Sequence, residues 1–258
     1  MNKRYRTIWI SDLHLGSTQC QVDVLLDFLK YNDSEMLYLV GDIIDFWSLS
    51  KKMYWPTEHN TVIQKILRKA RRGTQVVYVP GNHDENVREY DKYVFGEITV
   101  KKSDIHTSAT GQKFLVVHGD EYDPIAQSHR WIAKIGSDGY DLLIWLNRKW
   151  RTIRNFLGIQ SNFSLAAYVK FKVKNAVQFI ADYEESIVNT LKAKNLDGVI
   201  CGHIHHAEIK DIGGFMYINT GDFVESCTAI VEHFDGTMQL IQWQQTFINK
   251  EGSQSVSG

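Results

Sequence analysis

Five short runs in this chain carry side chains that bind metals or move protons. They are Ser11-Asp12-Leu13-His14, Gly41-Asp42-Ile43-Ile44-Asp45, Gly81-Asn82-His83-Asp84, His118-Gly119-Asp120 and Gly202-His203-Ile204-His205. Each follows an apolar, β-branched stretch that reads as a buried strand: Thr7 to Ile10, Met36 to Val40, Val76 to Val79, Phe114 to Val117 and Gly198 to Cys201. In an open α/β sheet the strand ends and the loops after them line the ligand crevice. Five strand ends bearing Asp, Asn and His point to a metal site, and to two metals rather than one.

A dinuclear centre needs mixed oxygen and nitrogen ligands and a carboxylate that bridges. Asp12 and His14 are two apart, on one face if extended, and would hold one metal together with Asp42. The Asp42 carboxylate can give one oxygen to each ion and hold them roughly 3.5–4 Å apart. Asn82 offers a carbonyl oxygen to the second ion, and His118 and His203 offer imidazoles; His205 turns back to the first. Such a set without thiolates suits manganese, iron or zinc. A metal pair polarises a phosphoryl oxygen and makes hydroxide available near neutral pH. His83 would then serve as general acid or hydrogen-bond donor to the leaving oxygen, with Asp84 orienting its imidazole. The chemistry expected is hydrolysis of a phosphate ester or anhydride without a covalent enzyme intermediate.

Any one of these residues alone reads as a surface or capping residue, and Asp12 or Asp84 could be a helix N-cap. Five runs in this order make coincidence a poor account. Asp45 is either a supporting residue or a structural one. The run Asp120 to Asp123 could bind metal, but reads rather as a cap of the next helix or a support that orients His118. His59, His106, His129, His206 and His233 carry no motif.

The elements that must position these residues follow from periodicity. Gln21 to Tyr31 and His59 to Arg72 have helical spacing, the second closed by Gly73. With the first three strands they form a β-α-β-α-β series, which implies a parallel sheet. Trp47, Tyr54, Trp55 and Pro56 lie in a loop that could rim the site. Thr110-Gly111-Gln112 reads as a hairpin turn before the strand that ends at His118. After Gly198, Ala207 to Lys210, Phe215 to Ile218, Thr228 to Glu232 and Gln239 to Trp243 read as strands of a second, more antiparallel sheet. Asn249 to Gly258 is polar and reads as a disordered tail.

Ser128 to Lys194 differs from the rest. It is helical in pattern and sets aromatics such as Trp131, Trp145 and Phe171 among cations such as Arg130, Arg148, Lys170 and Lys174. Two readings stand: a helical layer packed on the sheet, or a helical cap with a greasy inner face and a basic rim.

Composition narrows the classes further. The chain has 258 residues, 43% of them hydrophobic and 23% charged, with a net charge of −1. This is the balance of a folded domain, large enough to carry an insertion. It gives no bulk charge for nucleic acid. Three isolated cysteines argue against a disulfide framework or a zinc ribbon. No apolar run reaches the roughly 18 residues of a membrane span, and the basic N-terminus is interrupted too early for a signal peptide. A cytoplasmic protein is expected.

The five motifs, in this order, resemble those of the calcineurin-like metallophosphoesterase superfamily. The resemblance covers about Thr7 to His118 and Gly198 to Trp243. It implies an α/β sandwich of two mixed sheets packed face to face, flanked by helices, with two metals at the strand ends held by Asp12, His14, Asp42, Asn82, His118, His203 and His205. Manganese is the first choice of metal, with iron or zinc as alternatives. Within the superfamily the chain looks like the UDP-2,3-diacylglucosamine pyrophosphohydrolases of lipid A synthesis and their relatives. Asp12-Leu13-His14-Leu15-Gly16, the helical insertion and Gly202-His203-Ile204-His205-His206-Ala207 carry that narrower match. It implies one domain over 1–248, with a cap at about 124–194 whose apolar face receives acyl chains. Arg130, Trp131, Trp145, Arg148, Lys170 and Lys174 would contact substrate there. It also implies a lipid-linked nucleotide as substrate and peripheral contact with the cytoplasmic face of the inner membrane. The best-known branch carries arginine where this chain has His83, which leaves room for a related branch acting on another lipid-linked or nucleotide pyrophosphate. The alternative is a soluble phosphodiesterase or phosphatase acting on nucleotides or other phosphoesters. A third class, a metal-dependent scaffold that only binds a partner, would have no need of His83 and Asp84.

Overall fold

The computed structural model describes residues 3–123 and 182–248. The six substrate residues expected from Arg130 to Lys174, most of the expected cap and the polar tail lie outside the described residues. The chain divides into two compact units, Met1–Asp120 with Val188–Gly258, and Glu121–Ile187. The first unit carries all five motifs.

Its sheet elements alternate with helices at the start and then run as strands. In chain order they are β1 (Lys3–Ile10), α1 (Val22–Tyr31), β2 (Asn32–Val40), α2 (Phe46–Lys51), α3 (Thr57–Arg71), β3 (Gln75–Val79), β4 (Val94–Phe95), β5 (Ile98–Val100), β6 (Asp104–Thr107) and β7 (Lys113–Val116). After the second unit come β8 (Gly198–Cys201), β9 (Glu208–Ile212), β10 (Phe215–Asn219), β11 (Thr228–Glu232) and β12 (Met238–Gln242). Seven strands form one sheet in the order β12-β11-β1-β2-β3-β5-β4, and five form another in the order β6-β7-β8-β10-β9. β1, β2, β3 and β5 are parallel, as are β7, β8 and β10, while both edges of each sheet are antiparallel. These mixed sheets are the architecture that the motif order implied.

Alternation along the strands builds two cores. Ile8, Ile10, Leu37, Leu39, Val76 and Tyr78 point to one face of the large sheet and pack on Leu25, Phe28, Val62 and Ile66 of α1 and α3. Trp9, Tyr38, Val40, Val77 and Val79, one residue out of phase, point to the other face and meet Phe114, Val116, Ile200 and Ile218 of the small sheet. A strand has period 2, so covering both faces makes the central strands apolar throughout. Phe114 is fully buried between the sheets. Truncating such a side chain costs ~3–5 kcal/mol.

One assignment from the sequence needs correction. β11 and β12 do not join the second sheet; β11 pairs with β1, antiparallel, from Thr7↔Glu232 to Trp9↔Ile230. The reason is burial. All five residues of β11 are buried, with Ala229 and Val231 on the helical side and Ile230 between the sheets. A strand apolar on both faces needs both covered, and a place beside β1 supplies that.

Candidate metal centre

The parallel strands β1, β2 and β3 end together, as do β7 and β8, and the five motif runs leave from those ends. The first two loops continue the ladder beyond the strands. Asp12 N–H donates to Gly41 O at 3.0 Å, His14 N–H to Asp42 O at 2.9 Å and Leu15 N–H to Ile43 O at 3.0 Å. Asp12, His14, Asp42, His203 and His205 all take left-handed backbone conformations, with φ of 52°, 48°, 53°, 70° and 54°. This region is uncommon for residues other than glycine and persists where the surroundings enforce it.

Asp42 sits at the middle. Its Oδ2 lies 3.4 Å from His118 Nε2, 3.9 Å from His83 Nε2 and 4.0 Å from His14 Nε2. Its Oδ1 accepts from the His83 N–H at 2.8 Å. Asn82 Oδ1 is 3.3 Å from His118 Nε2. Asp12 Oδ1 is 3.2 Å from His205 Nε2, while its Oδ2 accepts from the His203 N–H at 3.2 Å. The His118 and His203 rings lie 5.2 Å apart, the His14 and His205 rings 5.5 Å. The seven ligand positions expected from the sequence are thus brought together. Among the described residues, three trios have donor atoms within 4.8 Å of one another: Asp12, His14 and His205; Asp12, Asp42 and His118; and His14, Asp45 and His83.

The donors fit a divalent ion. His14 Nε2 is buried with no hydrogen-bond partner among the described residues, an orphan acceptor of the kind a metal satisfies. His118 Nδ1 lies 3.0 Å from the Val40 carbonyl. A carbonyl only accepts, so Nδ1 carries hydrogen and Nε2 is left facing Asp42 and Asn82. Glycines keep the donors close. A Cβ on Gly41, itself at φ +78°, would run into the His118 ring, and one on Gly81 would come within 2.6 Å of His118 Cδ2.

Electrostatics agree with packed opposite charges. Burial opposes charge on Asp42, but His118, His83 and His14 outweigh it and hold the carboxyl below the usual range. Burial likewise opposes charge on His118, yet Asp42 and Asp12 push it well up. For His205, burial is outweighed by Asp12 and Asp222, which bring it up to about 8.

The expected pairing of Asp84 with His83 is not what the structure shows. Asp84 is fully buried. It accepts from the backbone N–H groups of Ile43 at 2.8 Å and Gly81 at 2.5 Å, and from the Tyr78 hydroxyl. The carboxylate is consumed in tying the β3 loop to the β2 loop. Asp45 takes the other role: its Oδ1 is 2.9 Å from His83 Nδ1 and its Oδ2 is 3.3 Å from His14 Nδ1. It also caps α2 through the Ser48 N–H at 2.8 Å. Burial lowers the basicity of His83, but Asp45 and Asp42 outweigh it and raise it. Asp120 accepts from Arg88 at 2.6 Å, and Arg88 also donates to Pro80 O at 3.1 Å.

Two further neighbours carried weaker signals. Trp47, one of the loop aromatics, lies on the His83 ring with centroids 4.1 Å apart. Asp222 stands behind His205, with Oδ2 3.9 Å from its Nδ1. Gly221-Asp222 comes one residue after the end of β10, much as Gly41-Asp42 follows β2, a repeat that could have marked it.

A family model described as calcineurin-like phosphoesterase matches residues 5–207. The chain belongs to that family. This phosphoesterase is similar to proteins named UDP-2,3-diacylglucosamine hydrolase. That of Neisseria meningitidis serogroup A / serotype 4A is 26% identical over 86% of this chain and 92% of its own length. That of Haemophilus influenzae is 26% identical over 87% and 93%, and that of Vibrio atlanticus 26% over 79% and 82%. The phosphoesterase is accordingly a metal-dependent hydrolase, and the donors around Asp42 are the groups that would hold its divalent metal.

Proposed function

We propose that the chain is a dinuclear-metal phosphoesterase that hydrolyses the pyrophosphate bond of a UDP-linked acylated sugar, giving UMP and the acylated sugar phosphate. The observation that carries the dinuclear reading is the place of the buried Asp42 carboxylate between the two donor sets, its Oδ2 within 3.4 Å of His118 Nε2 and 4.0 Å of His14 Nε2. Asp12, His14, Asp42 and His205 would hold one ion, and Asp42, Asn82, His118 and His203 the other, with manganese the first choice. Two bound ions would supply Lewis acidity at phosphorus and an activated water.

The chain's own residues do the rest. Asp45 holds His83 by Nδ1, so that Nε2 faces the centre. From there His83 donates a proton, or a hydrogen bond, to the oxygen that leaves phosphorus. Trp47 covers the ring and restricts its rotation. The relatives' name at 26% identity over most of both chains supports the UDP-linked substrate. Work at the cytoplasmic face of the inner membrane belongs to the same proposal; among the described residues no helix is long and apolar enough to cross a membrane.

His83 favours a second reading. A supported acid matters most where the leaving group is a poor one, such as the alkoxide of a soluble phosphodiester. The two readings part in one assay. UDP-2,3-diacylglucosamine in mixed micelles and a soluble aryl phosphodiester are each supplied with manganese. UMP release with little diester turnover supports the lipid substrate. Fast diester turnover with the lipid untouched overturns it and leaves the soluble reading.

A further inference from the structure

A large cavity among the described residues lies away from the metal centre. It lies at the opposite end of the large sheet, where β1, β2 and β3 begin, and its volume is about 1080 Å³. Arg6 in its wall precedes Asp12 by six residues, which at roughly 3.3 Å per residue in a strand sets the two sites about 20 Å apart. Eight Lys or Arg side chains line it against three Asp or Glu. The acidic three are taken: Asp33 by Lys69 at 2.5 Å, Glu35 by Arg4 at 3.4 Å and Asp104 by Lys101 at 2.8 Å.

That leaves Lys30, Lys65, Arg68 and Arg72 without an acidic partner among the described residues. Lys65, Arg68 and Arg72 recur at three- and four-residue steps along α3 and its cap, so they share a face, and Lys30 comes from α1. Lys65 is half-buried. Burial, and then Lys69, Arg68 and Lys30 around it, pull it below the ordinary lysine value. The macrodipole of α3 accounts for cations in its last turn. It does not account for Lys65, which lies before that turn, nor for Lys30 on another helix. A concave wall with one sign of charge focuses its field on whatever enters, and two arginine forks match phosphoryl oxygens. The volume is that of a small-molecule site.

We infer that this cavity is a second ligand site, taking a small anion with several phosphoryl groups that Lys30, Lys65, Arg68 and Arg72 hold away from the metal centre. A molecule of nucleotide size fits the volume. The concave shape favours such a ligand over a bilayer or a nucleic-acid strand.

Calorimetric titration of inorganic tripolyphosphate into the full chain, with chelator present so that no metal recruits it, tests the site. The expected result is one binding site, weakened at least tenfold by Arg68→Glu with Arg72→Glu and unchanged by Asp42→Ala. If charge reversal impairs folding, Lys65→Gln with Arg72→Gln removes charge only and is expected to weaken binding severalfold. No binding by the parent chain overturns the proposal. So does equal binding by the folded charge variants, or loss in Asp42→Ala alone. Flotation with phosphatidylglycerol vesicles supplies the second arm. Capture that depends on the same four residues and that tripolyphosphate does not displace would make the face a membrane contact and overturn the small-ligand reading.

Discussion

Asp45 Oδ1 lies 2.9 Å from His83 Nδ1. This contact gives one carboxylate hold of the imidazole that faces the centre, and its second oxygen reaches His14. Asp45 is therefore a positioning residue that links a proposed metal ligand, His14, to the proposed acid. Asp45→Asn is expected to lower kcat by about 10–100-fold, the scale of a lost supporting partner. It is also expected to shift the alkaline limb of the kcat profile to lower pH, because Asp45 raises the basicity of His83. A fall in kcat with an unmoved profile would mean that Asp45 acts through α2 and not through His83.

His83→Ala tests the acid role itself. Metal content should stay near that of the parent, since His83 is not among the seven expected ligands. The rate should fall most for poor leaving groups, by about 10²–10⁴-fold, and least for nitrophenolate. An equal loss for every leaving group would assign His83 to substrate binding.

Asp42→Ala should cost both metals and all measurable turnover, because the two proposed ion positions share this carboxylate. Metal analysis of the purified variant gives the answer directly. A full complement of two ions would sink the bridging assignment.

Gly81→Ala keeps every ligand but inserts a methyl against Asp42 and His118. The expected outcome is a folded chain with weakened metal binding and at least ~100-fold less activity, as a displacement on the ångström scale predicts. Metal affinity equal to the parent's would show that the loop relaxes around the methyl.

Acid stability should depend on Glu232. This buried carboxylate pins the two sheets together, accepting from Arg6 at 2.6 Å and the Ala109 N–H at 2.7 Å and meeting His106 Nε2 at 2.8 Å. Burial raises its pKa, but His106, Ala109 and Arg6 outweigh that and bring it down to about 2, against 4.5 for an ordinary glutamate. The folded value is depressed, so the stability it contributes is full above about 4.5 and is lost as pH falls toward 2. The contribution is on the order of 3 kcal/mol at neutral pH. Denaturant melts of parent and Glu232→Gln, both metal-free, should differ by about that amount at pH 7 and converge near pH 2. A constant difference across the range would mean that Glu232 acts by packing alone.

The donor residues were legible in the sequence because the signal is local. A strand that is apolar on both faces announces itself over four or five residues, and Asp, Asn or His after it marks the strand end. The order of β1, α1, β2, α3 and β3, and hence the parallel sheet, follows from the same short-range periods. What only the tertiary structure decided are matters of neighbours. Period 2 says which face a side chain takes, but not which strand lies beside it; β11 and β12 read from sequence as strands of the second sheet, yet burial on both faces of β11 sets it beside β1. Asp45 and Asp84 are both two or three residues from a proposed ligand, and sequence spacing does not rank them. The β3 loop folds under the β2 loop, which gives Asp84 to backbone N–H groups and leaves Asp45 to the imidazoles. The basic cavity shows the same limit. The cations of α3 share a helix period, but only the packing of α1 beside α3, at the foot of β1 and β2, sets Lys30 among them.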